Sequence, residues 1–130
     1  MREPVWLSVE LIKAVHEEQL RGYGGPAGIR DQGMLVSALV CAPNKWAYGE
    51  QDLAELAAAY AYGVAKNPPF IDGNKRTALL SLVTFLGLND IDFVAPEAEA
   101  VVVILGIASG EIAEEGLIRW IRDNWPDGLS

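Results

Sequence analysis

Between Lys75 and Leu86 runs a segment that is apolar nearly all the way round a helix. Ala78, Leu79, Leu80, Leu82, Val83 and Phe85 leave no polar face wide enough to meet water. A helix of that kind belongs at the centre of other elements. Asn74 starts it and Gly87 ends it. This run constrains the fold more than anything else in the sequence, because the rest of the chain has to surround it.

The surrounding elements are set by punctuation. Ser8 caps a first helix that runs to about Arg21, with Val9, Leu11, Ile12, Val15 and Leu20 as its apolar stripe. Gly22, Gly24, Gly25, Pro26 and Gly28 break it into a loop. Asp31 caps a second helix through Val40, and Pro43 to Glu50 reads as a loop carrying Trp46 and Tyr48. Asp52 starts a third, Leu53 to Ala65, rich in Ala and Tyr and therefore buried and tightly packed. Asn67-Pro68-Pro69 stops it, because proline lacks the amide donor and restricts the residue before it. Pro96 opens a fifth helix, Glu97 to Ser109, ended by Gly110. A sixth runs from Glu111 to about Asn124. Ile91–Val94 is the only strand-like piece. With 130 residues, 51% of them hydrophobic, this predicts one domain over 1–130. The fold class is all-α, a compact single-domain bundle of about six helices.

Charge narrows the function. Eighteen Asp and Glu against ten Lys and Arg give a net charge of −8, so the basic footprint of direct nucleic-acid binding is absent. No stretch reaches the roughly 18 apolar residues of a membrane span, and no long apolar segment follows the charged N-terminus. A cytoplasmic location is the simplest expectation. A single cysteine, Cys41, excludes an internal disulfide and reads as a small buried hydrophobe. The one histidine, His16, reads as a surface or capping residue.

The chemistry concentrates in Phe70-Ile71-Asp72-Gly73-Asn74-Lys75-Arg76-Thr77. A helix start leaves amides unpartnered and carries partial positive charge. Gly73 lets backbone approach a ligand closely. Lys75 and Arg76 place two cations where the helix dipole favours acids, a conflict that a bound anion would resolve. Asp72 offers one oxygen ligand for Mg²⁺, which takes few carboxylates and completes its shell with phosphate oxygens. Phe70 anchors the loop in the core. On spacing alone, a plain helix start remains open, with Asn74 capping and Asp72, Lys75 and Arg76 in solvent.

The segment Pro68-Pro69-Phe70-Ile71-Asp72-Gly73-Asn74-Lys75-Arg76 resembles the signature of the Fic/Doc family, His-x-Phe-x-(Asp/Glu)-Gly-Asn-(Gly/Lys)-Arg. Tyr23-Gly24-Gly25-Pro26-Ala27-Gly28-Ile29-Arg30-Asp31 is similar to the glycine loop of Doc-type proteins. Ala47-Tyr48-Gly49-Glu50, Leu56-Ala57-Ala58-Ala59-Tyr60 and Ser109-Gly110-Glu111-Ile112 also agree, so the resemblance spans about residues 8–123.

The resemblance implies a Fic fold and a transferase that uses ATP and Mg²⁺. Fic-fold members transfer part of a nucleotide, most often AMP, to a protein hydroxyl. Doc-type toxins transfer the γ-phosphate of ATP to a threonine of elongation factor Tu. Lys75 in place of Gly, and Leu79 where AMP-transferring members carry a second Arg, favour the Doc branch. No inhibitory Ser/Thr-x-x-x-Glu-(Gly/Asn) helix is evident, which implies a separate Phd-type antitoxin. Carried over, Asp72 holds Mg²⁺. Gly73, Asn74, Lys75 and Arg76 bind ATP phosphates. Arg76 also neutralises charge in the transition state.

One position departs. The family's histidine, the general base, falls at position 68, and here it is Pro68, which cannot accept a proton. Asn67 beside it is not basic. Two readings follow. One is a toxin inactivated by a single-nucleotide His-to-Pro change. The other is a protein without transferase activity that keeps nucleotide or partner binding. The intact remainder of the motif favours the first.

Overall fold

The computed structural model describes residues 2–126. They form six helices: α1 (Val9–Tyr23), α2 (Gln32–Ala47), α3 (Leu53–Lys66), α4 (Asn74–Leu88), α5 (Glu97–Ser109) and α6 (Glu114–Asp123). Among the described residues there is no strand, only an isolated bridge between Ile29 and Phe70. Ile91–Val94 runs without a strand partner.

The three polar caps sit where local chemistry puts them. Ser8 accepts from the Leu11 amide, Asp31 from Met34 and Asp52 from Ala54. Each satisfies an orphan donor of the first turn.

α3 is the hub of the bundle, packing on α2, α4, α5 and α6, while α4 touches α1, α3 and α5. The centre is therefore shared, not held by α4 alone. Small residues explain this. Ala54, Ala57, Ala58, Ala59, Ala61 and Ala65 are all buried and let neighbouring backbones come close. At Gly63 an added Cβ would stand 3.2 Å from the Cα of Ala38.

Several boundaries differ from the sequence reading. α2 does not stop at Val40 but continues through Pro43 to Ala47. A proline inside a helix costs about 3 kcal/mol; tertiary contacts beyond it offset that cost. Trp46 meets Trp6 edge-on with ring centroids 6.3 Å apart, and Lys45 pairs with Glu114 at 2.7 Å. α1 reaches Tyr23, two residues past Arg21, and α4 passes Gly87 by one residue. α6 starts three residues later than Glu111, because the Ile112 amide bonds back to the Gly106 carbonyl at 3.0 Å.

Two burial expectations are also corrected. Cys41 is exposed. It lies six residues after the buried Leu35 and so roughly 120° off the inward stripe of α2. His16 is buried, only 3% exposed. With Ile12 and Gln19 it forms the inward face of α1, at i, i+4 and i+7.

No helix among the described residues is long and apolar enough to cross a membrane.

Candidate functional site

The site is built where two irregular segments are fastened together over α1. Proline at 68 and 69 prevents α3 from continuing, and glycines at 24, 25 and 28 free the other segment to follow it. The amides of Arg30 and Asp31 both donate to the Pro69 carbonyl, at 2.7 and 3.0 Å, and the Ile71 amide donates to Gly28 at 3.1 Å. The Arg30 guanidinium adds a bond to the Pro68 carbonyl. These bonds fix the motif loop before α4 begins.

Phe70 drives the loop inward, at 1% exposure. His16 meets it there. Their rings stack with centroids 3.8 Å apart, and His16 Nε2 lies 2.7 Å from the Asp72 carbonyl oxygen. A carbonyl only accepts, so Nε2 carries the proton.

Asn74 does not cap α4. It is the first helical residue, and its side chain turns back on the loop. Its Oδ1 accepts from the Phe70 amide at 2.9 Å, and its Nδ2 donates to the Phe70 carbonyl at 2.9 Å. The N-cap position belongs to Gly73, which is left-handed at φ 77° and makes no side-chain cap bond. The first turn of α4 therefore keeps its orphan amides, carries Lys75 and Arg76, and has no acid. Such a helix start favours a negatively charged group beside it.

This helix start opens into a cleft of about 620 Å³. Pro68, Asp72, Gly73, Asn74, Lys75 and Arg76 all line it, so every predicted site residue comes to one place. Three cations, Lys66, Lys75 and Arg76, face one carboxylate, Asp72. The cleft is thus locally positive in a chain of net charge −8. Asp72 is exposed and, among the described residues, has no ion-pair partner. The Arg76 guanidinium rests over the Tyr23 ring, 3.5 Å from its centroid. That cation–π contact orients a cation that would otherwise range through solvent.

A metal fits on limited terms. No group of three or more potential ligands occurs among the described residues. A lone carboxylate beside an anion-binding turn suits a hard cation that shares its shell with phosphate oxygens, as Mg²⁺ does.

Sequence reasoning missed four contributors: His16, Gln19, Lys66 and the Arg30 side chain. Gln19 and Lys66 line the cleft, and His16 and Arg30 hold the loop. A signal for the first two was available. His16, Gln19 and Tyr23 recur at three- and four-residue spacing, so they share one face of α1. His16 is not placed to act as a replacement base: it is buried, stacked on Phe70 and not among the residues that line the cleft.

Comparisons with known proteins point to one family. The sequence profile of the Fic/DOC family matches residues 6–86. The chain is similar to "Protein kinase doc" of Escherichia phage P1, at 35% identity over 118 residues, 89% of this chain and 92% of that protein. It is also similar to "Toxin Doc" of Mycolicibacterium smegmatis, at 38% identity over 76 residues, 56% of this chain and 58% of that protein.

Proposed function

This chain belongs to the Fic/DOC family, and on that premise we propose that it is a Doc-type toxin whose cleft binds ATP with Mg²⁺ for phosphoryl transfer to a protein hydroxyl. The observation that carries the reading is the joining of Asp72, the uncapped start of α4, Lys75 and Arg76 in one cleft with position 68. The relatives' names, protein kinase and toxin, support the same class.

In this reading the α4 amides, Lys75 and Arg76 hold the phosphates, and Asp72 would hold Mg²⁺, whose charge would offset that of the phosphoryl oxygens. The target is a threonine of elongation factor Tu. Its hydroxyl oxygen bonds to the γ-phosphorus, the bond to the bridging oxygen breaks, and ADP leaves. Arg76 stabilises the charge that builds up. The hydroxyl proton needs an acceptor at position 68. Pro68 offers none, so this copy binds but does not transfer.

The test is reversion. Pro68→His is incubated with elongation factor Tu and ATP labelled at the γ or the α position. Label from γ alone, absent with the unaltered chain, is the expected result. Label from α alone overturns the kinase reading in favour of AMP transfer. No label from either, with no growth arrest on expression, leaves a nucleotide- or partner-binding module.

A Phd-type antitoxin is the proposed partner. An apolar trough between α4 and α5, lined by Leu79, Leu80, Val83, Val94 and Ala100, adjoins Arg76. It suits the apolar face of a helix. On co-expression, hydrogen exchange should slow along this trough; protection elsewhere only would remove it as the antitoxin site.

A further inference from the structure

α1 sends two buried polar side chains under the motif loop, and they differ in one respect. His16 is paired, its Nε2 at 2.7 Å from the Asp72 carbonyl. Gln19, one turn on and 6% exposed, is not. Its Nε2 is shut off from water and has no hydrogen-bond partner. A carboxamide nitrogen carries two donors, and leaving both unpaired in a protein interior is unfavourable.

The surroundings show which backbone that amide lies against. A Cβ added at Gly73 would stand 1.9 Å from Gln19 Nε2 and 3.0 Å from its carboxamide carbon. The amide therefore presses on the backbone of the residue that uncaps α4. Gln19 also lines the cleft that holds Lys75 and Arg76. Unpartnered donors beside a helix start and two cations select a ligand that only accepts and carries negative charge. Phosphoryl oxygens meet both conditions.

We infer that Gln19 is an additional phosphate ligand, its side-chain amide donating to a phosphoryl group seated at Gly73–Arg76. This rests on the proposed ATP-binding reading and extends it to α1. It also gives Gly73 a second role. Besides adopting positive φ, it leaves room for a side chain from another helix to reach the ligand.

The test measures affinity and thermal stability together, by calorimetry with ATP plus Mg²⁺ and by competition with inorganic pyrophosphate. Gln19→Met keeps the length and removes the donors. It should weaken ATP about tenfold, the loss of one bond to a charged partner. The melting temperature should hold or rise, because the unpaired donors are gone. Gln19→Glu replaces donor by acceptor and should weaken ATP further. Pyrophosphate should lose affinity in parallel, since the contact is to phosphate and not to the base or sugar. Unchanged affinity in Gln19→Met overturns the inference. So does a fall in affinity matched by a fall in melting temperature, which marks a structural role, and so does weakening seen for ATP but not pyrophosphate. Lys75→Ala separates this from the parent reading. If the unaltered chain binds neither ligand, or Lys75→Ala changes nothing, the ATP cleft itself fails. If Lys75→Ala weakens binding while Gln19→Met does not, only the role of Gln19 is lost.

Discussion

The imidazole of His16 lies flat on the ring of Phe70, centroids 3.8 Å apart and planes within 8°, while its Nε2 holds the Asp72 carbonyl at 2.7 Å. One side chain of α1 thus fixes both the anchor and the carboxylate-bearing residue of the motif loop. His16→Phe keeps a ring on Phe70 but strands the Asp72 carbonyl, and should cost about 1–2 kcal/mol. His16→Ala also opens a cavity and should cost about 3 kcal/mol. Urea unfolding measures both; equal losses would mean that the hydrogen bond contributes nothing.

Asn74 uses both ends of its amide on one residue, bonding the Phe70 amide and carbonyl at 2.9 Å each. Asn74→Ala removes both bonds and should cost about 2 kcal/mol. Asn74→Asp keeps the acceptor, and its charge suits a helix start, so about half the loss is expected. The midpoint of unfolding should shift with its slope unchanged. A larger loss for Asp than for Ala would remove the pairing as the reason for this residue.

What could be read in the sequence is what depends on neighbours along the chain. Ser8, Asp31 and Asp52 cap their helices as expected, and the cluster from Asp72 to Arg76 meets at one helix start, because each depends on residues a few positions away. What could not be read depends on partners far along the chain. Pro43 ends a helix by local rules, yet α2 runs on because Trp46 finds Trp6 and Lys45 finds Glu114. His16 looks like a surface residue between Val15 and Glu17 until Phe70, 54 positions later, supplies a ring to stack on. Gln19 shares a helix face with His16 by its spacing, but spacing alone does not turn that face inward; the motif loop packed over it does.

The carboxyl groups of Glu50 and Glu55 meet at the start of α3. Hydrogen bonding to Glu50, then burial, raises the Glu55 carboxyl above the ordinary carboxylate range; the same contact with Glu55 is the largest cause lowering Glu50. The signs oppose each other. The folded state holds the Glu55 proton more tightly than the unfolded chain does, so that contribution is present at low pH and lost as pH rises through the raised value. The Glu50 contribution is present above the ordinary range and lost as pH falls through its lowered value. Glu55→Gln keeps a donor for Glu50 and removes the charge that repels it at neutral pH. Its melting temperature should exceed that of the unaltered chain by about 1–3 °C at pH 7. The advantage should vanish below the carboxylate range and shrink in high salt. An advantage that grows on acidification would reverse the assignment.

Gly25, in the loop after α1, and Asp72, in the motif loop, meet closely. Gly25 has φ 111°, and a Cβ there would stand 2.5 Å from Asp72 Oδ2. Gly24, its neighbour, has φ 78° with nothing within 4 Å of an added Cβ. The pair separates backbone strain from displacement of the carboxylate. Gly24→Ala and Gly25→Ala should each lose about 1–3 kcal/mol, the cost of a side chain at a strained positive φ. Only Gly25→Ala pushes Asp72 from its place. If Asp72 holds Mg²⁺, Gly25→Ala should reduce the gain in ATP affinity that Mg²⁺ confers by about tenfold, leaving metal-free ATP binding as it was. Titrations with and without Mg²⁺ read this directly. Equal behaviour of the two variants would show that Asp72 does not hold the metal, because the substitution that crowds its carboxylate would then act by strain alone.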